Sequence, residues 1–250
     1  MGIYVEARIR GPLDTVWERT QDPGRHQRWD LRFTEIAPLP HAPGAPRHFR
    51  YATRVLPLLT VSGTGVSAGE RERPDGTRTS ALRFASPHPL SPLAEGSGYW
   101  RYVPDGDGVR FLTGYDYRPR WGRPGALADR LLFRPLMGWA TAWSFDRLRL
   151  WVERGITPER ARRNWAAELL ARALLATAGC AGLGLAPRTG PFGPLSPAAA
   201  YLCPLLCLVA VALALLAAPL PGTPAARRCL RTPPARTRAP RLLATLEQPS

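Results

Sequence analysis

The sequence predicts an α+β protein in which a curved antiparallel sheet wraps one long helix and a helical membrane hairpin follows. Three observations predict this order. Strand-like runs in which apolar and polar residues alternate fill most of the chain up to residue 118. A helix-length run over residues 129–153 then carries three of the eight Trp residues, and residues 189–226 include no charged side chain. Alternating strands followed by one apolar helix indicate a sheet that is covered on a single side.

One strand and two short helices open the chain. Apolar residues alternate with polar ones over residues 3–9, which is the period of a half-buried strand. Helical spacing follows over residues 13–20, with Pro12 suited to the first turn. The Asp22-Pro23-Gly24 sequence ends that helix, and a second short helix is expected over residues 26–29.

Six further strands are expected before the long helix, separated by Gly, Pro and Asp. They cover approximately residues 33–37, 48–55, 60–68, 77–85, 98–103 and 109–118. Two connections have residues typical of hairpin turns, Pro74-Asp75-Gly76 and residues 104–108. In the last strand, one face carries Val109, Phe111, Thr113, Tyr115 and Tyr117, so we expect that face to point inward.

The Trp-rich helix is expected to begin near Ala126 and to kink or restart at Pro135. At 3.6 residues per turn, one apolar stripe contains Leu132, Leu136, Trp139, Trp143 and Leu150. A second apolar group, made of Phe133, Met137, Leu148 and Trp151, points elsewhere. We expect the first stripe to face the sheet.

Two stretches of sequence resemble a known superfamily. They are PLDTVWERTQDPGRHQRWD, after the opening strand, and GYWRYVPDGDGVRFLTGYDYRPRWG followed by RPLMGWATAWSFDRLRLWVERG. Residues 1–155 resemble the START-like helix-grip superfamily, also called SRPBCC or polyketide cyclase-like, and within it an uncharacterised bacterial branch. The resemblance implies a deep apolar cavity between the sheet and the long helix. Different members use such a cavity for lipids and other hydrophobic molecules, for cyclising polyketides or for chaperone contacts, so the fold alone selects no function.

The C-terminal part predicts attachment to a membrane. After the START-like domain, we expect a basic linker over residues 156–164, membrane helices at about 166–186 and 198–220, and an Arg- and Pro-rich disordered tail over 221–250. The uncharged core of the first membrane helix, residues 173–186, has only 14 residues and also fits an interfacial segment. One span and two spans therefore both stay open.

Charge sets the expected orientation in the cell membrane. Residues 156–250 hold 11 Arg and 3 acidic residues, so they carry +8 of the net charge of +15. These arginines flank both ends of the apolar region, whereas the connection between the two helices holds only Arg188. The positive-inside rule then places the N-terminal domain and the tail in the cytoplasm, with the inner leaflet as partner. The first 179 residues contain no Cys, which fits a reducing compartment.

No recognisable motif predicts a catalytic residue, a metal or a cofactor. The four histidines, at positions 26, 41, 48 and 88, lack zinc-like spacing to Cys, Asp or Glu and are interpreted as surface or loop residues. The stretch GTGVSAGE lacks the Lys and the spacing of a phosphate-binding loop. All 34 basic residues are Arg, in a composition rich in Ala, Gly and Pro that indicates codon bias, so we expect no nucleic-acid partner.

The expected ligand site is an aromatic cavity between the sheet and the long helix. Its predicted lining consists of Phe84, Trp100, Tyr102, Phe111, Tyr115, Tyr117, Leu136, Trp139 and Trp143. The alternative is a solid aromatic core without room for a ligand. Whether the chain is a monomer or an oligomer is left open.

Three hypotheses for the function follow from these expectations. The first is membrane-tethered binding of a hydrophobic small molecule or lipid in the cavity. The second is a polyketide cyclase or dehydratase, with Tyr115, Asp116 and Tyr117 as the first residues to test, because a tyrosine can act as an acid. The third is an assembly role in which Phe133, Met137 and Trp151 dock a partner or the membrane.

Overall fold

The computed structural model describes residues 2–41, 46–56, 59–185 and 197–234. They form two compact units, one from Met1–Glu159 together with Ala225–Ser250 and the other from Arg160–Pro224. The strands are β1 (Ile3–Arg10), β2 (Glu35–Pro38), β3 (His48–Leu56), β4 (Leu59–Glu72), β5 (Arg78–Ala85), β6 (Leu93–Asp105) and β7 (Gly108–Pro119). The α-helices are α1 (Leu13–Gln21), α2 (Pro23–Trp29), α3 (Gly122–Ala128), α4 (Arg134–Arg154), α5 (Pro158–Leu185) and α6 (Pro197–Leu216).

The strands of the first unit form one antiparallel sheet in the order β1-β7-β6-β5-β4-β3-β2. Helices α1 and α2 carry the chain from the β1 edge to the β2 edge. Register shifts in β3, β4 and β6, including one between Ser67 and Gly69, bend the strands and curve the sheet. The concave face receives α4. The predicted α+β helix-grip fold is therefore confirmed, with the six later strands close to their expected positions.

The long helix consists of three consecutive pieces. Helix α3 starts after Trp121, a π-helical turn follows at Asp129–Phe133, and α4 begins at Arg134. Pro135 lies at the start of α4, directly after the π-helical turn, which is the kind of helix irregularity that accommodates a residue without a backbone N–H. The restart expected at Pro135 is thus present, although the helical region begins four residues before Ala126. Gly155, with a φ of 64°, ends α4 in the left-handed conformation that favours glycine at this position.

Helix α4 is buried on nearly all sides, from Ala140 through Leu148. Phe145 and Leu148 have no exposed surface and pack towards the sheet, where Phe111 lies 4.4 Å from Phe145 between ring centroids. The opposite side of the helix, at Ala142 and Asp146, contacts a segment from the far end of the chain.

That far segment follows residue 224 and completes the first unit. A 3₁₀ turn at Ala226–Arg228 leads to Leu230, whose backbone N–H and C=O both bond Glu6 of edge strand β1 at 2.9 Å. The backbone N–H of Ala225 donates to the buried Asp146 carboxylate at 2.8 Å. The sequence predicts a disordered tail over 221–250, but residues 225–234 have defined positions; residues 235–250 lie outside the described part.

The second unit is an antiparallel pair formed by α5 and α6. Arg172 of α5 bonds Glu168 one turn earlier and also donates to the carbonyls of Ala214 and Ala218 at the end of α6, both at 3.0 Å. These bonds satisfy carbonyls that the last turn of a helix leaves unpaired. The predicted basic linker over 156–164 is mostly the first two turns of α5.

One helix in the described part of the chain is long and apolar enough to cross a membrane. It covers Pro158–Gly184 within α5, and 11% of its most apolar stretch is buried. The second expected span, at 198–220, corresponds to α6, whose apolar part Leu202–Leu216 is shorter. Residues 186–196, which connect the two helices, lie outside the described residues.

Candidate functional site

A cavity of about 390 Å³ lies between the concave face of the sheet and the start of α4. Its wall is mainly aromatic and aliphatic. The aromatic members are Phe33, Phe49, Tyr51, Phe84, Trp100, Tyr115 and Tyr117, and the aliphatic ones include Ile36, Leu39, Leu82, Leu93 and Met137. The exposed residues His41, Arg47, His48 and Glu70 place the mouth beside β3 and β4.

Glycines opposite the aromatic rings keep this space open. Phe49 of β3 pairs with Gly65 of β4, and Tyr51 pairs with Gly63. A Cβ atom on Gly65 would lie 2.1 Å from the Phe49 ring, and one on Gly63 would lie 2.4 Å from the Tyr51 ring. Each ring therefore lies flat over a glycine instead of standing up from the sheet. The wall stays aromatic while the volume above it remains free.

The polar wall of the cavity centres on Arg32, just after α2. Its guanidinium donates from Nε and Nη2 to the two oxygens of Asp30, at 2.9 and 2.6 Å. The same guanidinium lies over the rings of Phe33 and Tyr115, at 5.4 and 5.3 Å from their centroids. A bidentate pair fixes the orientation of Arg32 against the aromatic wall.

Burial and charge oppose each other in this pair. Burial by itself would raise the pKa of Asp30, but Arg32 and His26 outweigh it and lower that pKa. Burial would likewise lower the pKa of Arg32, and the Asp30 carboxylate reverses this and raises it. Asp30 and Arg32 therefore both stay ionised inside the wall, because each compensates the other's lost hydration.

His26 forms the third member of the polar wall. Its Nε2 lies 3.1 Å from Asp30 Oδ2, and its ring stacks on Trp29 and meets Trp100 edge-on. Burial lowers the pKa of His26, against the opposing effect of Asp30. The expectation that His26 is a surface or loop residue is wrong, since it is 9% exposed and lies on the cavity wall.

Tyr115 links the sheet to α4 above the cavity. Its hydroxyl lies 2.9 Å from Thr141 Oγ1, which itself donates to the Met137 carbonyl at 2.8 Å. Because Thr141 Oγ1 donates its only hydroxyl proton to the Met137 carbonyl, the Tyr115 hydroxyl is the donor in its bond with Thr141. The Tyr115 hydroxyl also interacts with Arg32, so it connects the sheet, α4 and the polar wall.

Four of the nine predicted lining residues lie on the cavity, and five do not. Phe84, Trp100, Tyr115 and Tyr117 line it. Tyr102 and Phe111 are fully buried in the solid aromatic core beside it, where the Tyr102 hydroxyl bonds Thr20 and Gln21. Leu136 is 52% exposed, and Trp139 and Trp143 stack on each other with centroids 6.4 Å apart, away from the lining.

The stripe of α4 that faces the sheet and cavity is therefore not the expected one. It includes Met137, Thr141 and Phe145 rather than Leu136, Trp139 and Trp143. The helix is buried almost all round, so the distribution of apolar residues does not mark the sheet side. Arg32, Phe49 and Tyr51 also line the cavity, although they are not among the residues predicted from the sequence. Gly63 and Gly65, two glycines on the same face of one strand, are the sequence pattern that could have indicated Phe49 and Tyr51.

The residues suspected of catalysis do not converge on one point. Tyr117 bonds Asp129, and burial together with that carboxylate raises the pKa of Tyr117. Asp116 is exposed on the other face of β7 and pairs with Arg134 at 2.9 Å. Within the described residues, no group of three or more His, Cys, Asp and Glu side chains is arranged to hold a metal ion.

The residues suspected of docking a partner also lie apart. Trp151 packs between the guanidinium groups of Arg19 and Arg28, at 4.4 and 4.8 Å from its ring. Met137 lines the cavity, and Phe133 lies beside Trp121 with centroids 6.4 Å apart. The three therefore do not form one exposed surface.

The element order, the curved sheet and the cavity give the first unit a helix-grip fold, which is the architecture that the resemblance predicts. A search with the sequence models of known families finds no match. The chain is 50% identical over 163 residues to the uncharacterized membrane protein YndG of Bacillus subtilis strain 168. That match covers 65% of this chain and 61% of YndG, so the aligned part spans less than two thirds of that relative.

Solved structures with a similar fold include proteins that are named for different functions. The STAR-related lipid transfer protein of Xanthomonas axonopodis is 18% identical, with a TM-score of 0.44 over 60% of this chain and 84% of that one. The Zhui aromatase/cyclase of Streptomyces sp. R1128 is 15% identical, with a TM-score of 0.42 over 62% of this chain and 97% of that one.

Proposed function

We propose that the first unit binds a hydrophobic small molecule or a lipid in its cavity, and that the second unit tethers the chain to the cell membrane. The observation that carries the first half is the open volume of about 390 Å³. Its wall is mostly apolar and aromatic with a few fixed polar groups, a composition typical of small-molecule sites. A solid core would leave no such volume between sheet and helix.

The polar wall suggests what the ligand carries. Asp30 accepts hydrogen bonds from Nε and Nη2 of Arg32, and Tyr115 interacts with the same guanidinium, so these three side chains form the polar part of the wall that a ligand would meet. Since Asp30 already neutralises the guanidinium, the ligand needs an acceptor oxygen there and no full negative charge. A molecule with a mainly apolar body and one hydroxyl, carbonyl or carboxyl group fits this wall best.

The membrane half of the proposal rests on α5, on the charge pattern and on chain connectivity. Residues up to Glu159 and from Ala225 onward belong to the same compact unit. If the segment between them enters a bilayer, it has to leave on the side where it entered. An even number of crossings follows, so α5 and α6 would form a hairpin and both flanks would lie in the cytoplasm.

The ligand half can be tested by native mass spectrometry of the full chain released from detergent. We expect a co-purifying hydrophobic mass on the wild-type protein. Met137→Trp fills the cavity and should lower the bound fraction by about tenfold or more. Leu90→Trp is the matched control, because Leu90 is 57% exposed and lies outside the cavity lining. Equal occupancy of both variants, or no bound mass on wild-type protein from several lipid extracts, would contradict ligand binding.

The membrane half can be tested with topology reporters. Fusions after Ser250 and before Met1 are expected to report the cytoplasm, and an insertion near Gly193 is expected to report the outside. A reporter after Ser250 found outside would show an odd number of crossings. That result would rule out the proposed hairpin while leaving ligand binding untouched.

A further inference from the structure

The segment between the sheet and α4 exposes an unusual set of leucines. Leu127, Leu131, Leu132 and Leu136 are 58%, 69%, 59% and 52% exposed. Leu127 and Leu131 are four residues apart, as are Leu132 and Leu136, so each pair is separated by about one helical turn across α3, the π-helical turn and α4. Leu131 and Leu132 are neighbours in sequence, so the four leucines form two adjacent rows. We call these four residues the leucine ridge. Exposed apolar patches of this kind usually mark an interaction surface.

The exposed charges of the segment that carries the leucine ridge are positive, while the exposed Asp116 of the neighbouring strand β7 is paired with Arg134 at 2.9 Å. Arg123 and Arg130 are exposed beside it. The one acidic residue of the segment, Asp129, is 5% exposed and accepts hydrogen bonds from Tyr117 and Arg134 inside the unit. The outward surface therefore combines leucines with arginines and no exposed carboxylate of its own.

Contacts with the rest of the first unit fix the position of this segment, so its four leucines stay on the outer side. Gly125 packs so closely that an added Cβ would lie 1.7 Å from the Arg120 carbonyl oxygen. Trp121 donates from Nε1 to the Pro89 carbonyl at 3.1 Å. Tyr117, which lines the cavity, holds Asp129 from below. Tyr117 thus connects the segment that carries the leucine ridge to the cavity wall.

We propose that the leucine ridge docks the first unit onto an anionic lipid bilayer. Leucines that enter the interface and arginines that meet lipid phosphates are the two components of interfacial membrane binding. Charge complementarity favours a bilayer over a second copy of this chain, since the same surface on another copy is also positive. The inference rests on the membrane tether of the proposed function, but not on the identity of the cavity ligand.

The test places a fluorescent non-canonical amino acid at position 131 of the full chain in lipid nanodiscs. With brominated acyl chains and phosphatidylglycerol in the bilayer, we expect strong quenching at position 131. The same probe at the exposed position 71 of β4 is the control and should be quenched several-fold less. Arg123→Glu together with Arg130→Glu should remove most of the quenching at position 131, while pure phosphatidylcholine should weaken it.

Each other outcome has a distinct meaning. Equal quenching at positions 131 and 71 overturns the inference. A probe at 131 that is already shielded from water in detergent, with doubled mass, would show that two copies dock instead and would also overturn it. Failure of the full chain to enter nanodiscs at all would contradict the membrane tether, and so the proposed function rather than the leucine ridge alone.

Discussion

The two ends of the interface between the sheet and α4 differ sharply. At the filled end, Phe111 stacks between Tyr102 and Phe145, with centroids 4.9 and 4.4 Å away, and none of the three is exposed. At the open end, aromatic rings are just as frequent, yet a cavity of about 390 Å³ remains. The number of aromatic residues therefore does not decide whether this fold is solid or hollow.

The residue opposite each ring accounts for the difference. Tyr102 of β6 is paired with Phe111 of β7, so the two rings project from the sheet and stack on each other. Phe49 and Tyr51 face glycines, so they lie along the sheet. Strand β6 contains both arrangements, because Gly96 and Gly98 precede Trp100 and Tyr102 on the same face. The transition from open to filled thus occurs within one strand.

The largest expected effect concerns the buried charges of the open end. Asp30→Ala would leave Arg32 without its carboxylate inside the wall, which should lower the free energy of unfolding by about 3–5 kcal/mol. Glu159→Ala is the control, since it breaks the exposed Arg28–Glu159 pair at a cost of at most about 1 kcal/mol. Denaturant unfolding of the full chain in detergent measures both. Similar losses of stability in Asp30→Ala and Glu159→Ala would mean that water reaches the Asp30–Arg32 pair in the cavity wall.

The second comparison is between truncations at the two ends. Phe145→Ala removes a fully buried ring from the filled end and should cost about 3–5 kcal/mol. Met137→Ala removes a half-buried side chain that already borders empty space, so its cost should stay below about 2 kcal/mol. Thermal unfolding of both variants checks the order. A reversed order would indicate that the open end is closed in solution.

The third prediction concerns a substitution that should make the open end resemble the filled end. Gly65→Ala places a methyl group where the Phe49 ring lies, so the ring has to rise into the cavity. We expect a loss of about 1–3 kcal/mol in stability and a lower ligand occupancy in native mass spectrometry. Gly184→Ala is the matched control, because nothing lies within 4 Å of its added Cβ. Unchanged ligand occupancy in Gly65→Ala would show that Gly65 does not keep the cavity open.

The strands and the fold class could be predicted because alternation reports which face is buried. The lining on α4 could not, since Ala140 through Leu148 are all buried and no apolar stripe distinguishes the sheet side. The ordered segment after residue 224 depends on pairing between Leu230 and Glu6, which no local pattern encodes. Asp30 and Arg32 are two residues apart in the turn after α2, and their role becomes visible only once that turn is seen to face the cavity.

The smallest expected effect belongs to His26 on the same wall, and its sign follows from linkage. Burial lowers its pKa below the ordinary value of 6.5, so the unfolded chain binds a proton at a pH where the folded chain does not. Stability should therefore fall as pH drops from 7 to 5, by at most about 2 kcal/mol. The pKa of Asp30 is lowered, so Asp30 keeps its charge throughout this window. His26→Gln retains a donor to Asp30 without titrating, and its unfolding midpoint should lose most of this dependence. A slope that persists in His26→Gln would assign the effect to groups outside the cavity wall, whereas a flat slope would tie the pH response to the open end alone.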